Sequence, residues 1–298
     1  MKKPPSSPSD AESARALFQA HGRDFQANRY VYPVLSRRAG GISIGVNVNR
    51  DKACNFDCVY CQVDRTEKVD TEPVDLDLLA TELQRMVELV TSGRIFEQTK
   101  FRDTPPELRR FNDIAISGDG EPTLAANFID IVKVCAKALR SQPCGDATLV
   151  LITNATLLHQ DRVRRALEVL DEVDGRIWAK LDAGTEDYYR KVARSTVPFQ
   201  RILDNLTEAA QARPIVIQSL FMRINNEPPP TAELEAYCDR LNEILAAGGQ
   251  IESVQIHTIA RTPAESFVAA LTNAEVDAAA ELVRKRSNLR VAAYHGTS

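Results

Sequence analysis

Between residues 42 and 258, short apolar β-rich runs alternate with longer runs of helical periodicity, and this alternation restricts the fold more than any other property of the chain. Strands are expected at 42–48, 113–117, 148–153, 177–181, 215–222 and 253–258, and helices at 76–90, 127–139, 161–170, 201–212 and 234–246. A strand, a helix and a further strand in succession imply parallel pairing with right-handed crossovers. Six such units fit an open, incomplete (β/α)6 barrel, and 298 residues suffice for it as one domain. A helix near 275–284 and a run at 289–294 read as an accessory extension. At the other end, residues 1–8 are Pro/Ser-rich and read as disordered, and Ser9 with Glu12 forms a capping-box pattern that opens a short helix through Phe18. The expected organisation is a tail and helix over 1–40, a core barrel over 41–262 and a C-terminal extension over 263–298.

In parallel α/β folds ligands bind at the carboxyl ends of the strands. The run Cys54-Asn55-Phe56-Asp57-Cys58-Val59-Tyr60-Cys61 follows the first expected strand, and Ser117-Gly118-Asp119-Gly120-Glu121-Pro122-Thr123-Leu124 follows the second. Thr153-Asn154 ends the third, Asp182-Ala183-Gly184 the fourth and His257 the sixth, so the polar groups converge on one mouth. Three thiolates at C-x3-C-x2-C spacing suit the irons of a [4Fe–4S] cube, with one iron left open because no fourth cysteine lies in reach. The competing readings are zinc, which wants four closed ligands although the next histidine is His159, and three unrelated buried thiols. Cys135, Cys144 and Cys238 are scattered, and no auxiliary cluster is expected from them.

Charge and composition bound the partners. A formal net charge of −4 provides no global field for nucleic acid or an anionic membrane. Local phosphate contacts are conceivable at Arg109-Arg110, at Arg162, Arg164 and Arg165, and at Arg284-Lys285-Arg286; the plainer reading of such runs is a solvated helix face. No apolar run reaches the length of a membrane span, Met1–Ser6 does not resemble a secretory signal, and the clustered thiols would be wasted as disulfides. A reducing cytoplasm is the expected address.

The cysteine run, with Tyr60 as the aromatic before the third cysteine, resembles the hallmark loop of the radical S-adenosylmethionine (SAM) superfamily, and Gly118–Pro122 resembles its Gly-Gly-Glu-Pro segment. Among subfamilies the chain is most similar to the iron–sulfur oxidoreductases that include the wyosine-base synthases of transfer RNA. The resemblance implies a partial (β/α)6 barrel and a [4Fe–4S] cluster on Cys54, Cys58 and Cys61. It also implies SAM on the open iron, cleaved by one electron to a 5′-deoxyadenosyl radical that abstracts hydrogen from substrate. It places the backbone of Gly118, Asp119, Gly120 and Glu121 at the methionine amino group, with Asp119 replacing the usual first glycine. Period-two alternation directs Lys180 and Asp182 into the barrel, either toward the SAM carboxylate and ribose or into a rim ion pair. Asn154, Gln218, Gln255 and His257 are either pocket groups or satisfied core polar groups. Arg261 sits where relatives turn at an Arg-Pro pair, and it is either a clamp for carboxylate or phosphate or a solvated loop residue.

The implied partners are a flavodoxin- or ferredoxin-like electron donor and a substrate that is RNA, a protein or peptide, or a small molecule. Against RNA stand the net charge, the lack of a cysteine before Cys54 for an extra cluster, and the lack of a flavodoxin-like domain. For a protein substrate, the loop over 93–112 is long enough to be a partner surface. The alternative from another class is a non-catalytic iron–sulfur protein for electron transfer or sensing.

Overall fold

The computed structural model describes residues 25, 27–36, 38–65, 72–141, 144–261 and 265–296. The expected N-terminal helix and residues 262–264 of the turn after Arg261 lie outside these. The main sheet has eight strands in the order β1-β2-β3-β4-β5-β6-β8-β10. They are β1 Val31–Ser36, β2 Gly41–Asn47, β3 Phe111–Ser117, β4 Thr148–Thr153, β5 Arg176–Lys180, β6 Ile215–Leu220, β8 Ile251–His257 and β10 Val291–Tyr294. β1 is antiparallel to β2, and every other pairing in the sheet is parallel. Among the described residues, seven α-helices, α1 Leu76–Thr91, α2 Phe128–Arg140, α3 Asp161–Asp171, α4 Glu186–Ala193, α5 Phe199–Ala212, α6 Thr231–Ala246 and α7 Asn273–Ser287, accompany the sheet. The sheet curls into a half-barrel, open between β1 and β10.

Alternation sorts the two faces of each strand. Ile42, Ile44 and Val46 of β2, Ile114 and Ile116 of β3, and Ile177 and Ala179 of β5 join one large buried cluster beneath the helices. Helix α1 contributes Leu79, Leu83, Met86, Val87 and Val90 to it at helical spacing, and Asp75 caps α1 by accepting from Asp77 and Leu78 N–H. The opposite face lines the barrel. There Ala115, Val150, Trp178 and Val216 form a small apolar layer, one step below Lys180 of β5 and Gln218 of β6.

Four elements depart from the expected pattern. β1 carries Pro33, which argues against a central strand; as the edge strand it needs no donor on its outer side, and Pro33 pairs with Ile44. The run at 215–222 divides at Phe221, whose N–H donates to the His257 carbonyl. The chain then turns into β7 (Met222–Ile224), paired antiparallel with β9 (Val268–Ala270) in a separate ribbon. Helix α4 is too short for its buried Tyr189, Val192 and Ala193 to show a period in sequence. The accessory run at 289–294 proves to be β10, a parallel strand of the main sheet.

The loop at 93–112 is packed: Ile95 and Phe101 are fully buried, and Arg109 donates to the carbonyls of Thr104 and Arg102.

Candidate active site at the strand carboxyl ends

β2 runs out at Asn47, and the chain then forms the cysteine loop. Asn47 grips the loop after β3: its amide donates to Asp119 Oδ2 at 2.6 Å, and its oxygen accepts from Asp119 N–H at 3.0 Å. Asn49 Nδ2 donates to the Glu121 carbonyl at 3.0 Å, and Glu121 N–H donates to the Ala53 carbonyl at 2.9 Å. These contacts explain the glycines. A Cβ at Gly120 would lie 1.8 Å from the Ala53 oxygen, and one at Gly118 would lie 2.4 Å from Asn49 Oδ1. The close approach read from sequence as an approach to ligand is thus in the first place an approach of two loops of this chain.

Glu121 is buried, and its carboxylate accepts from Thr123 N–H (3.1 Å), the hydroxyls of Thr123 and Thr153 (2.6 Å each) and Asn154 N–H (2.7 Å). Burial raises its pKa against the pull of these donors. The carboxylate therefore fastens the β3 loop to the end of β4. Asn154 continues the chain of contacts, donating to Asn55 Oδ1 at 2.8 Å inside the cysteine run, while Asn55 donates to Thr156 Oγ1 at 2.7 Å. From the other side, Val59 and Asp57 N–H bond to the carbonyls of Val192 and Ala193 at the end of α4, each at 2.9 Å. No motif in the sequence marks that support.

Cys54, Cys58 and Cys61, each half-buried, line one cavity of about 360 Å3 together with Gly118, Asp119 and Gly120. Among the described residues, no three His, Cys, Asp or Glu stand close enough to hold a single metal ion. A cubane instead takes one thiolate per iron, and the surroundings suit such a cluster, with N–H donors directed at sulfur. Arg65 Nη1 lies 3.2 Å from Cys61 Sγ, Phe56 N–H 3.5 Å and Asn154 Nδ2 4.0 Å from Cys54 Sγ. Burial pushes the Cys58 thiol up to about 12 and raises Cys54 as well. Arg65 was missed in sequence; its position four residues after Cys61, in the same loop, was the available signal.

Beside the thiols lies a compact polar group. Lys180 Nζ is 3.4 Å from Asp182 and 4.7 Å from the centre of the Tyr60 ring, and the Tyr60 hydroxyl donates to the same carboxylate. Burial works against the Lys180 charge, but Asp182 and Cys58 outweigh it and raise the pKa. Asp182 also accepts from Leu220 N–H at 2.8 Å. Tyr60, Lys180 and Arg261 reach the cavity wall with the thiols and the glycine loop, whereas Glu121, Asn154 and Asp182 brace it from behind. Gln218 does not reach the wall: it donates to Gln255 Oε1 at 2.8 Å in a buried amide pair. The cavity is also lined by Ser36, Arg38, His257, Arg261 and Tyr294. Of these, sequence reading had singled out only His257 and Arg261.

The basic runs seen in sequence are largely compensated. Arg164 pairs with Glu208 and Asp161, Arg284 and Lys285 with Glu281, and Arg286 with Glu235, while Arg110 donates to the Gly40 carbonyl. Among the described residues, no helix is long and apolar enough to cross a membrane.

A three-cysteine loop and a glycine-rich loop on adjacent strands of a half-barrel define a class of cofactor enzyme, and the comparisons agree. The chain matches the model of the Radical SAM superfamily over residues 48–233, more than half its length, and it belongs to that superfamily. The cofactors of this family are a [4Fe–4S] cluster and SAM. The chain is 31% identical over 163 residues to a UPF0026 protein of Synechocystis sp., covering 54% of this chain and 51% of that protein. It is 30% identical over 162 residues to a UPF0026 protein of Methanocaldococcus jannaschii, covering 52% and 44%. The matches thus span about half the length of these relatives or less. Among solved structures it resembles TYW1 with a lysine–pyruvate adduct bound (TM-score 0.55, 15% identity, 93% of this chain and 82% of that one). It also resembles a spore photoproduct lyase variant (TM-score 0.54, 10% identity, 99% and 87%). At these identities the likeness shows the fold.

Proposed function

We propose that this chain is a radical SAM enzyme in which Cys54, Cys58 and Cys61 hold a site-differentiated cluster and the adjoining cavity holds SAM and part of a substrate. The observation that carries the reading is the meeting of all three thiols with the backbone of Gly118–Gly120 in one cavity. When bound, the cluster and SAM supply one-electron cleavage of a carbon–sulfur bond and a radical that takes hydrogen from substrate.

The chain's own residues position these partners. Arg65, Phe56 and Asn154 direct N–H groups at the sulfurs, which lowers the cost of negative charge there. The 118–120 backbone offers polar groups to the methionine end of SAM, held in place by Asn47, Asn49 and Glu121. Lys180, set over Tyr60 and oriented by Asp182, presents a cation to the SAM carboxylate. Residues 41–262 form the catalytic core, the segment 263–298 completes the sheet, and a flavodoxin- or ferredoxin-like protein delivers the electron. The substrate is RNA, a polypeptide or a small molecule, the first by analogy with the wyosine-base synthases.

Anaerobic reconstitution with iron and sulfide, reduction, and addition of SAM tests the reading. The expected outcome is 5′-deoxyadenosine formation, abolished in Cys58→Ala. A cluster whose electron paramagnetic resonance spectrum is indifferent to SAM would overturn it in favour of electron transfer or sensing.

A further inference from the structure

Arg65 stands four residues after the last cysteine of the run, and its guanidinium meets three acceptors on separate stretches of chain. Nη1 donates to Cys61 Sγ at 3.2 Å, Nε to the Lys52 carbonyl at 3.3 Å and Nη2 to the Asp119 carbonyl at 3.4 Å. Lys52 precedes the cysteine run and Cys61 ends it, so the first two contacts hold the two ends of that loop together. The third crosses to the loop after β3. Asp119 is thereby held from two sides, because Asn47 bonds both its carboxylate and its N–H. A planar fork of N–H donors can serve three acceptors at once, whereas an ammonium on a flexible stem acts as a point charge and cannot keep that geometry.

This contact differs in kind from the other donors near sulfur. Phe56 N–H at 3.5 Å and Asn154 Nδ2 at 4.0 Å approach Cys54 and are neutral. Arg65 brings a full positive charge to Cys61 at a shorter distance, and a hydrogen bond from an ionised donor is about twice as strong as a neutral one. Lys180, also in the cavity wall, lies 3.4 Å from Asp182, whose carboxylate offsets its charge. Arg65 is exposed, so water and salt screen its field, and its electrostatic effect must shrink as ionic strength rises.

Two properties of the site thus meet on one guanidinium. Charge beside Cys61 Sγ bears on how readily a bound cluster accepts an electron, because a nearby cation favours the more negative, reduced state and hydrogen bonds to sulfur help set the potential. The position of the Asp119 carbonyl bears on how well the backbone of 118–121 fits the methionine end of SAM. Resting on the proposed function above, we infer that Arg65 is a positioning residue that sets cluster potential and SAM affinity together. Its charge acts at Cys61, and its fork fixes the Asp119 carbonyl. The two effects are separable by substitution, since one needs only the charge and the other needs the span.

The test compares Arg65→Gln and Arg65→Lys with the wild-type full chain, all reconstituted anaerobically. The midpoint potential is measured without SAM, by dye-mediated titration with dithionite followed by electron paramagnetic resonance. SAM affinity is measured from its perturbation of the same spectrum. Arg65→Gln removes the charge, and its potential is expected to fall by about 59 mV, a tenfold change in a one-electron equilibrium. Arg65→Lys keeps the charge, and its potential is expected nearer to the wild type than to Arg65→Gln. SAM binding should weaken about tenfold in both, because neither side chain spans the three acceptors. Raising the salt concentration should narrow the gap in potential.

Circular dichroism and iron content establish folding and loading. Variants that fold but hold no iron, or whose loaded fraction keeps the wild-type potential, overturn the inference in favour of a purely structural role. It is also overturned if Arg65→Lys falls as far in potential as Arg65→Gln, or if either variant binds SAM as tightly as the wild type. The wild type separates the two levels. A wild-type spectrum that ignores SAM sinks the proposed function and the SAM half of this inference with it. A wild type that responds to SAM, beside variants that match it, sinks this inference alone.

Discussion

At Gly120 a methyl group would meet the Ala53 carbonyl oxygen at 1.8 Å, so Gly120→Ala must push the β3 loop away from the cysteine loop. Overpacking of this kind costs about 1–3 kcal/mol. Because the displaced atoms belong to the run that carries Cys54, the expected outcome is a folded protein with a sharply lower iron-to-protein ratio after reconstitution. Asp113 gives a second prediction. Burial raises its pKa from 3.8 to about 6, against the pull of Ser43, which donates to it, and of Arg38. An acid whose pKa is higher folded than unfolded binds more protons in the native state between those values. Stability therefore falls as pH rises from about 4 to about 6 and levels off above, by roughly 3 kcal/mol for a shift of this size. Asp113→Asn should flatten that slope in thermal unfolding followed across the window. Neither residue announces itself equally in sequence. Gly120 lies in a recognisable segment, but Asp113 reads as one polar residue at a strand start, because nothing local shows that it is buried on the barrel face of β3.

Elements in this protein are tied together at their ends by buried carboxylates. Glu82, on α1, accepts from three consecutive backbone N–H groups, those of Arg29 (2.6 Å), Tyr30 (2.8 Å) and Val31 (3.1 Å), at the entry to β1. Glu233, on α6, accepts from Gly184 N–H (2.5 Å) and from Thr185, and so braces the start of α4, whose far end supports the cysteine loop. Glu82→Ala strands three donors and should cost about 2–4 kcal/mol, read as a lower urea midpoint, with Glu82→Gln losing less. Elements with whole periods of their own were legible from sequence: β4 is found at the expected residues, and α1, α2, α3 and α6 within three residues. β1, α4 and the β7–β9 ribbon were not, because each owes its conformation to a partner distant in sequence. Pro33 is tolerated only at an edge, and Met222–Ile224 becomes a strand only once Val268–Ala270 lies beside it.

Over the whole molecule, the motifs in sequence located the cysteine and glycine loops of the mouth, whereas Arg38, from the turn after β1, and Tyr294, from β10, line the same cavity although no motif marks them. The same long reach governs the cysteine loop. Asn55 is bonded to Thr156 and Ser195, 101 and 140 positions away, and Asn47 to Asp119, 72 positions away. Contacts so distant along the chain form only after the loops between them have closed, and they make folding slow. The cluster cradle is accordingly a late product of folding. Small zinc domains fold around their metal; this chain is expected to fold first and receive iron afterwards. The iron-free protein should show a cooperative thermal transition by circular dichroism, with cluster loading raising its midpoint as binding to a preformed native state does. A destabilised apo-protein would then fail at maturation before it failed at catalysis, because the delivery system would meet thiols that are present but not yet brought together.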